Sequence, residues 1–379
     1  MTLETYPNPD LTVGADNKQR WNQPQHRRHG FHNAHTLFRR VHMVRSREVL
    51  ALEPAGPEEQ ISHPAVDALC AHPAFSSISC VRGGKILLER SAPDFGPDRP
   101  HSIQSISKLH IHLIMGRLIA EGRIDPGKQV RDYLPDVGSG YARARVQDVL
   151  DMNVANDFTE DYADPNSDCY TEEAALGWRL PSRGQPEPAL REFICAISGG
   201  DPTNATGQAI YKSANTDLLT LIAAAVSPRP LLAEVEAIAD AAGYEGAFHI
   251  SLSPDGYPAF SGGGCLGARD LARFGQIFAR RGRDIQGRPL ADHAFLETSL
   301  TRHAPMISPP RNWLRYSNHL MTDGRLLGHA GYGGQFLMVD MKTGLSCAFF
   351  SVLENDAGYD DAYASKMVCA LRDLCLATG

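Results

Sequence analysis

The chain has 379 residues, 42% of them hydrophobic and 21% charged, with a formal net charge of −7 at pH 7. That is enough apolar chain for a large core in one domain or two lobes. The acidic balance speaks against a nucleic-acid surface, and no stretch reaches the ~20 apolar residues that span a bilayer.

The chain opens MTLETYPNPD, with acidic and turn-forming residues where a signal peptide needs positive charge and then an apolar run. A cytoplasmic protein is therefore expected. The eight cysteines (70, 80, 169, 195, 265, 347, 369 and 375) are scattered and form no C-x-x-C pair. They read as small buried hydrophobes, with neither a disulfide framework nor a zinc site.

Residues 1–62 read as a polar N-terminal arm, partly exposed, whose central part near Phe31 to Arg47 could be helical. Positive charge gathers there at Arg27, Arg28, Arg39, Arg40, Arg45 and Arg47, and is expected to pack on an acidic body. Histidines 26, 29, 32 and 35 recur every third residue without an acidic partner, so they predict no metal site.

A hairpin follows: Ile78 to Val81, the turn Arg82-Gly83-Gly84-Lys85, then Ile86 to Leu88. A Pro-rich loop leads to His101-Ser102-Ile103-Gln104-Ser105, and the pattern from Ser105 to Glu121 predicts a helix apolar nearly all round, hence buried. Gly122 ends it. From 128 to about 250 the chain reads as helix and loop, with a long irregular insertion from Asn153 to Pro188 and an apolar helix from near Asn215.

Gly262-Gly263-Gly264 leads into an amphipathic helix, Ala268 to Arg280. Strands Phe336 to Asp340 and Leu345 to Val352 flank the turn Lys342-Thr343-Gly344, and a helix from about Asp361 to Leu376 closes the chain. This order predicts an α/β protein: residues 63–104 and 251–379 form a lobe with an antiparallel sheet flanked by helices, and 105–250 an inserted, mainly helical lobe.

Ser105 and Lys108, three apart at the start of a helix, share a face. A serine hydroxyl is a poor nucleophile until a neighbour takes its proton. A lysine can take it when burial and nearby positive potential bring its pKa from ~10.4 towards 7 or 8. Free N–H groups of the first helical turn add such potential and can hold a developing oxyanion. Alone, the spacing is a weak signal, and an N-cap serine followed by a snorkelling lysine would be the better reading of it.

Two further segments change the balance. Tyr211-Lys212-Ser213 stands just before the apolar helix, and His329-Ala330-Gly331 opens the Gly-rich stretch Tyr332-Gly333-Gly334 directly before a strand. In this order the three segments resemble the serine β-lactamase and penicillin-binding-protein superfamily, with its S-x-x-K, then Y-x-N or Y-x-S, then K-T-G or H-x-G elements. Val130 to Pro135 and Gly264 to Phe274 are similar to that family too, and the resemblance covers roughly residues 65 to 379.

The resemblance implies a β-lactamase/transpeptidase-like fold and a set of roles. Ser105 is similar to the acylated serine, Lys108 to its general base and Tyr211 to the tyrosine that carries the proton to the leaving group. The backbone N–H groups of Ser105 and Tyr332 match the oxyanion hole, while Ser213, His329, Gly331 and Tyr162 match positions that contact substrate. Lys342-Thr343-Gly344 spells the β-lactamase triplet literally, but it lies between two strand runs and reads as a hairpin turn.

Other candidates read as structure. Gly262 to Gly264 lacks the Lys-Ser/Thr of a phosphate loop and predicts a bend or close backbone contact. His110 and His112 read as satisfied core histidines. Asp157, Glu160, Asp161, Asp164 and Asp168 flank Tyr162 and read as a solvated surface, in a loop long enough to be functional, the alternative being that it presents Tyr162 or a carboxylate to a cationic substrate.

Histidine at the third element resembles the esterases and amidases of the superfamily. Tyr211 to Asp217, Glu160-Asp161-Tyr162 and Asp164-Pro165 look most like the 6-aminohexanoate-oligomer hydrolase branch. The expectation is a cofactor-free and metal-free hydrolase of a small-molecule amide or ester, with no nucleic-acid or membrane partner and with a homodimer left open. An acyltransferase on the same scaffold and a non-catalytic ligand-binding relative remain as alternatives.

Overall fold

The computed structural model describes residues 21–378 apart from 163, 165 and 182–184. The central element is an eight-stranded sheet. It is built from β2 (Glu53–Pro54), β3 (Phe75–Arg82), β4 (Lys85–Ser91), β8 (Arg315–Ser317), β9 (Leu320–Thr322), β10 (Leu326–Gly331), β11 (Gln335–Asp340) and β12 (Leu345–Ser351). The order across it is β2-β4-β3-β12-β11-β10-β9-β8, antiparallel throughout except the β2–β4 pair. Hairpin β3–β4 thus pairs with a hairpin more than 250 residues later, Ala348 lying opposite Ser79.

Alternate residues of this sheet serve two cores, as the two-residue period of a strand requires. Leu337, Val339, Ala348 and Phe350 join the core of helices Leu109–Ala120, Ser213–Val226 and Ala268–Ala279. Phe336, Met338, Cys347 and Phe349 face the other way, onto helices Pro64–Cys70 and Asp361–Ala377. Both faces are covered, and β12 is accordingly buried along its whole length. A four-stranded sheet ordered β1 (Val41–Arg45), β6 (Ala247–Ser251), β7 (Gly264–Leu266), β5 (His101–Ser102) lies beside it.

The N-terminal segment departs from its expected character. Its helix runs Pro24–Leu37, earlier than anticipated, and residues 41–45 form a strand paired with Ala247–Ser251. Arg27, Phe31 and His32 are buried. Arg27 is tolerable inside because its guanidinium donates to the carbonyls of Leu353 at 2.7 Å and Asn355 at 2.5 Å and to Asn22 Oδ1 at 2.8 Å. Two of the regularly spaced histidines pack on different rings: His32 on Phe95 at 4.1 Å between ring centres, and His35 on His249 at 4.9 Å.

No single helix among the described residues is long and apolar enough to cross a membrane. All eight cysteines are free thiols.

Candidate active site

The helix expected from Ser105 begins differently. Gln104–Lys108 is a 3₁₀ turn, and the α-helix proper starts at Leu109. Gln104 takes φ +48°, the left-handed region that costs a side-chain-bearing residue energy and persists only where neighbours enforce it. They do so here through β7. Ile103 N–H donates to Gly264 O at 2.9 Å, Gly264 N–H to Ser107 Oγ at 3.0 Å, and Ser107 O–H to Gln104 O at 2.7 Å. The Gly-rich bend lets this happen, since a Cβ on Gly264 would lie 2.6 Å from Ser107 Oγ.

Lys108 is fully buried. Its Nζ lies 3.1 Å from Ser105 Oγ and 3.1 Å from Ser213 Oγ, and it donates to the Ser261 carbonyl. It also stands 5.1 Å from the centre of the Tyr211 ring. Burial raises the Tyr211 phenol above its usual range, and the Lys108 charge with hydrogen bonds to Lys108 and Ser105 acts against that rise.

Between Tyr211 and Ser213, Lys212 points elsewhere. It is buried and donates to the carbonyls of Asn156 at 3.0 Å and Phe158 at 2.6 Å, pinning the root of the long loop to the helix start. That loop then turns Glu160 inward. Glu160 Oε1 accepts the hydroxyls of Ser213 and Tyr162, each at 2.8 Å. The other four acids of the expected surface cluster do not join it in these bonds; Asp157 caps Ser198 at 2.7 Å and Asp168 caps Thr159 N–H at 2.9 Å.

The third element is the end of β10. A Cβ on Gly331 would sit 2.8 Å from Ile103 O, so only glycine lets the strand approach the turn that carries Ser105. Tyr332 follows, its hydroxyl donating to Ala357 O at 2.8 Å and its ring 5.1 Å from that of Tyr162. Ser105, Tyr162, Tyr211, His329, Gly331 and Tyr332 all line one cleft of about 460 Å³, open to solvent. Lys108 is buried behind it, and Ser213 lines a smaller hollow that shares Ser105 and Tyr162.

His329 forms part of the cleft wall but is fully buried, and both its ring nitrogens are spent. Nδ1–H donates to Ala330 O at 2.7 Å, which leaves Nε2 to accept the Tyr316 hydroxyl at 2.9 Å; the tautomer follows from the carbonyl being an acceptor only. Burial, helped by the Lys108 charge, pushes its pKa well below 6.5, so the ring is neutral at pH 7.

Several groups near the site have no local signature in the sequence. Glu172 and Asp217 are buried beside one another; burial raises both carboxyls above their usual range, and the Asp217 charge raises Glu172 further. Glu160 is 53 residues from the serine it holds, and nothing in its local pattern separates it from the neighbouring acids. Arg311, on the loop before β8, also lines the cleft.

The Lys342 triplet lies in the turn between β11 and β12, where Thr343 O–H donates to Asp340 at 2.9 Å and Gly344 takes φ +75°. Gln335, beside the cleft, begins β11 and the turn follows its far end, roughly 17 Å away at ~3.4 Å per residue. His110 stacks between Phe248 and Phe274 and donates through Nδ1–H to Ser107 O at 3.0 Å, the carbonyl being an acceptor only. Its Nε2 has no partner among the described residues. His112 Nδ1–H donates to Asn318 O at 2.7 Å. No group of three or more His, Cys, Asp or Glu side chains among the described residues is placed to hold a metal ion.

This combination of a two-faced antiparallel sheet and a serine–lysine pair at a helix start has a counterpart in sequence comparison: residues 76–369 match the family described as Beta-lactamase. The chain belongs to that family, and it is a serine hydrolase of the family's type. It is 29% identical over 364 residues to the 6-aminohexanoate-dimer hydrolase of Paenarthrobacter ureafaciens, covering 88% of each chain. Among solved structures it is similar to a provisionally named 6-aminohexanoate-dimer hydrolase from Bacillus anthracis, with a TM-score of 0.80, 17% identity and 98% of both chains covered. A D-stereospecific amidohydrolase from Streptomyces sp. shares the fold at a TM-score of 0.58 and 20% identity, over 81% of this chain and 96% of that one.

Proposed function

We propose that the protein cleaves a small-molecule amide or carboxylic ester through an acyl-enzyme on Ser105. One observation carries this reading: Ser105 Oγ lies 3.1 Å from the buried Lys108 amine, within the hydrogen-bond reach that proton transfer needs.

The hydrogen-bond inventory around Lys108 supports the direction of transfer. In the neutral form that the proton transfer requires, the amine has two N–H donors and one lone pair. The Ser261 carbonyl can only accept, and the Ser213 hydroxyl, whose own proton goes to Glu160, accepts as well. Both donors are then used, and the lone pair is left for the Ser105 O–H.

In acylation Ser105 Oγ bonds to the substrate carbonyl carbon as its proton passes to Lys108. The oxyanion is held by the backbone N–H groups of Ser105 and Tyr332; losing one donor from such a hole typically costs ~2.7–4 kcal/mol. Tyr211, next to Lys108 and Ser105, passes a proton to the leaving nitrogen or oxygen as its bond to carbon breaks, and is itself reprotonated from Lys108. Water then attacks the ester with Lys108 and Tyr211 again handling its proton, which releases the acid and restores Ser105. Glu160, Ser213 and Ser261 act as positioning groups for Lys108, and Tyr162 and Tyr332 flank the substrate. In this scheme His329, neutral and doubly hydrogen-bonded, shapes the wall and supplies no charge.

Turnover of a panel of p-nitrophenyl esters and small anilides by the wild type and Ser105→Ala tests the proposal. Hydrolysis by the wild type that Ser105→Ala loses is expected; equal rates in the two would refute it.

A further inference from the structure

The N-terminal helix Pro24–Leu37 carries no group of the acyl chemistry, yet one of its side chains reaches the wall of the cleft from behind. Arg27 is fully buried, and its guanidinium is spent on neutral oxygens. Besides the bonds to Asn22 Oδ1, Leu353 O and Asn355 O, its Nη2–H donates to Asn22 O at 2.8 Å and to Asp356 O at 3.4 Å. Three successive stretches of one distant loop are thus held by a single planar fork, through charge-assisted bonds. That loop, residues 353–359, is part of the active-site wall, since Ala357 and Tyr359 line the cleft with Ser105.

The same loop holds Tyr332. Ala357 O accepts the Tyr332 hydroxyl at 2.8 Å, and Leu353 N–H donates to Gly333 O at 2.9 Å. A Cβ on Gly358 would lie 2.1 Å from Tyr332 Oη and 2.9 Å from Arg27 Cζ, so loop, tyrosine and arginine close on one point. From the helix, the Phe31 ring stands 6.3 Å from that of Tyr332, and Arg27 Cζ stands 6.0 Å from its centre. Tyr332 needs such an anchor. Its neighbours are Gly331 and Gly333, with Gly334 beyond, and the last two take φ +93° and +106°. A glycine-flanked residue has little local backbone stiffness, so the aim of its N–H must be set by its side chain and by what grips that side chain.

We propose that Arg27 is a positioning residue for the oxyanion hole: by fixing the loop 353–359 it anchors the Tyr332 side chain and so aims the Tyr332 N–H at the substrate oxygen. The inference rests on the hydrolase reading and adds to it a residue, outside the cleft, on which turnover depends. An oxyanion donor is effective only when it is in place before the charge develops, and a displacement of about 1 Å can cost ~10²-fold in rate. Arg27 itself touches no reacting atom. A purely structural arginine would make a different demand: its loss would lower stability and the folded fraction, and leave turnover per folded site as it was.

The test measures hydrolysis of p-nitrophenyl butanoate per Ser105 titrated with a fluorophosphonate, together with the thermal midpoint. Inhibition by phenylboronic acid, whose boron turns tetrahedral on a serine oxygen, reports the hole separately. Arg27→Lys keeps the charge and loses the fork; Tyr332→Phe keeps the ring and backbone and loses only the hydroxyl. Each should lower kcat by ~10-fold or more with KM nearly unchanged, and weaken the boronic acid by a similar factor. The double variant should fall little below the weaker single, because both changes cut one chain of contacts. Should Arg27→Lys not fold, Asn22→Ala removes one acceptor and leaves the guanidinium in place, and should lower kcat by roughly 3-fold or more. Wild-type kcat per titrated site in Tyr332→Phe or in the folded variant on the Arg27 side, or losses that multiply in the double variant, would overturn the inference alone, whatever the thermal midpoint does. If the wild type leaves p-nitrophenyl butanoate intact, the hydrolase reading fails and the inference with it.

Discussion

Glu160 and Ser213 meet twice: one carboxylate oxygen accepts the Ser213 hydroxyl at 2.8 Å, and the other accepts its backbone N–H. The first contact decides where the Ser213 proton points, and so leaves Ser213 Oγ as an acceptor towards Lys108.

Glu160→Gln removes the charge while keeping the shape. The amide cannot accept at both oxygens, so the Ser213 hydroxyl becomes free to turn and donate to Lys108. Replacing a charge-assisted hydrogen bond of ~1.5–3 kcal/mol with a weaker one should lower kcat by roughly 10-fold or more. Steady-state kinetics on one ester checks this, and a kcat equal to the wild type would dissociate Glu160 from the reaction.

Tyr211→Phe separates the two halves of acylation. Anilides and alkyl amides need a proton delivered to the leaving nitrogen, whereas p-nitrophenolate leaves without one. The variant should therefore lose far more activity on an amide than on the p-nitrophenyl ester of the same acid. Equal losses on the two would place Tyr211 outside the proton path.

Gly331→Ala probes the approach of β10 to the Ser105 turn. The new methyl would lie 2.7 Å from Gln335 Oε1 and 2.8 Å from Ile103 O. Backbone on one side cannot yield cheaply, so overpacking of about 1–3 kcal/mol is expected, along with a fall in kcat as Tyr332 moves away from Ser105. Chemical denaturation and kinetics on the same sample check both, and unchanged values would remove the constraint assigned to this glycine.

How far this site can be read in a sequence depends on range. Ser105 and Lys108 lie three apart on one turn, and the spacing alone brings them together. Tyr211 and Tyr332 needed the order of motifs: the packing of helix Ser213–Val226 on helix Leu109–Ala120 carries the first to Ser105, and a sheet that pairs strands far apart in the chain carries the second. Glu160 was hidden among acids of the same loop: no periodicity distinguishes the one that turns inward, and the choice is made by Lys212 fastening the loop root. Arg27 misleads in the opposite sense, since composition reads an arginine-rich segment as solvated, while distant carbonyls at 353 and 355 solvate this one inside the fold. The 3₁₀ start before Leu109 likewise depends on Gly264, some 160 residues later.

Acid should unfold the protein well above the carboxylate range. Burial lowers His32, His110, His112 and His249 to about 4 and His319 to about 3. A histidine with a folded pKa below its unfolded value of ~6.5 gives stability that is complete above 6.5 and is lost as pH falls towards the folded pKa, because the unfolded state binds more protons there. Each fully buried ring then contributes a slope of up to ~1.4 kcal/mol per pH unit. The raised carboxyls of Asp151, Glu172 and Asp217 work in the opposite direction but are fewer. Urea midpoints should therefore drop steeply between pH 6.5 and 4.5. A flat profile over that range would contradict the burial of these rings.

The central claim is a covalent bond at one hydroxyl. Rapid mixing with a p-nitrophenyl ester, acid quench and intact-protein mass spectrometry measures it directly. One acyl group per chain should appear, map to the peptide containing Ser105 and vanish in Ser105→Ala, with its formation slowed ~10²-fold or more in Lys108→Ala. Nitrophenol release with no adduct at Ser105, or an adduct on another residue, would show that the serine–lysine pair is not the engine of the reaction.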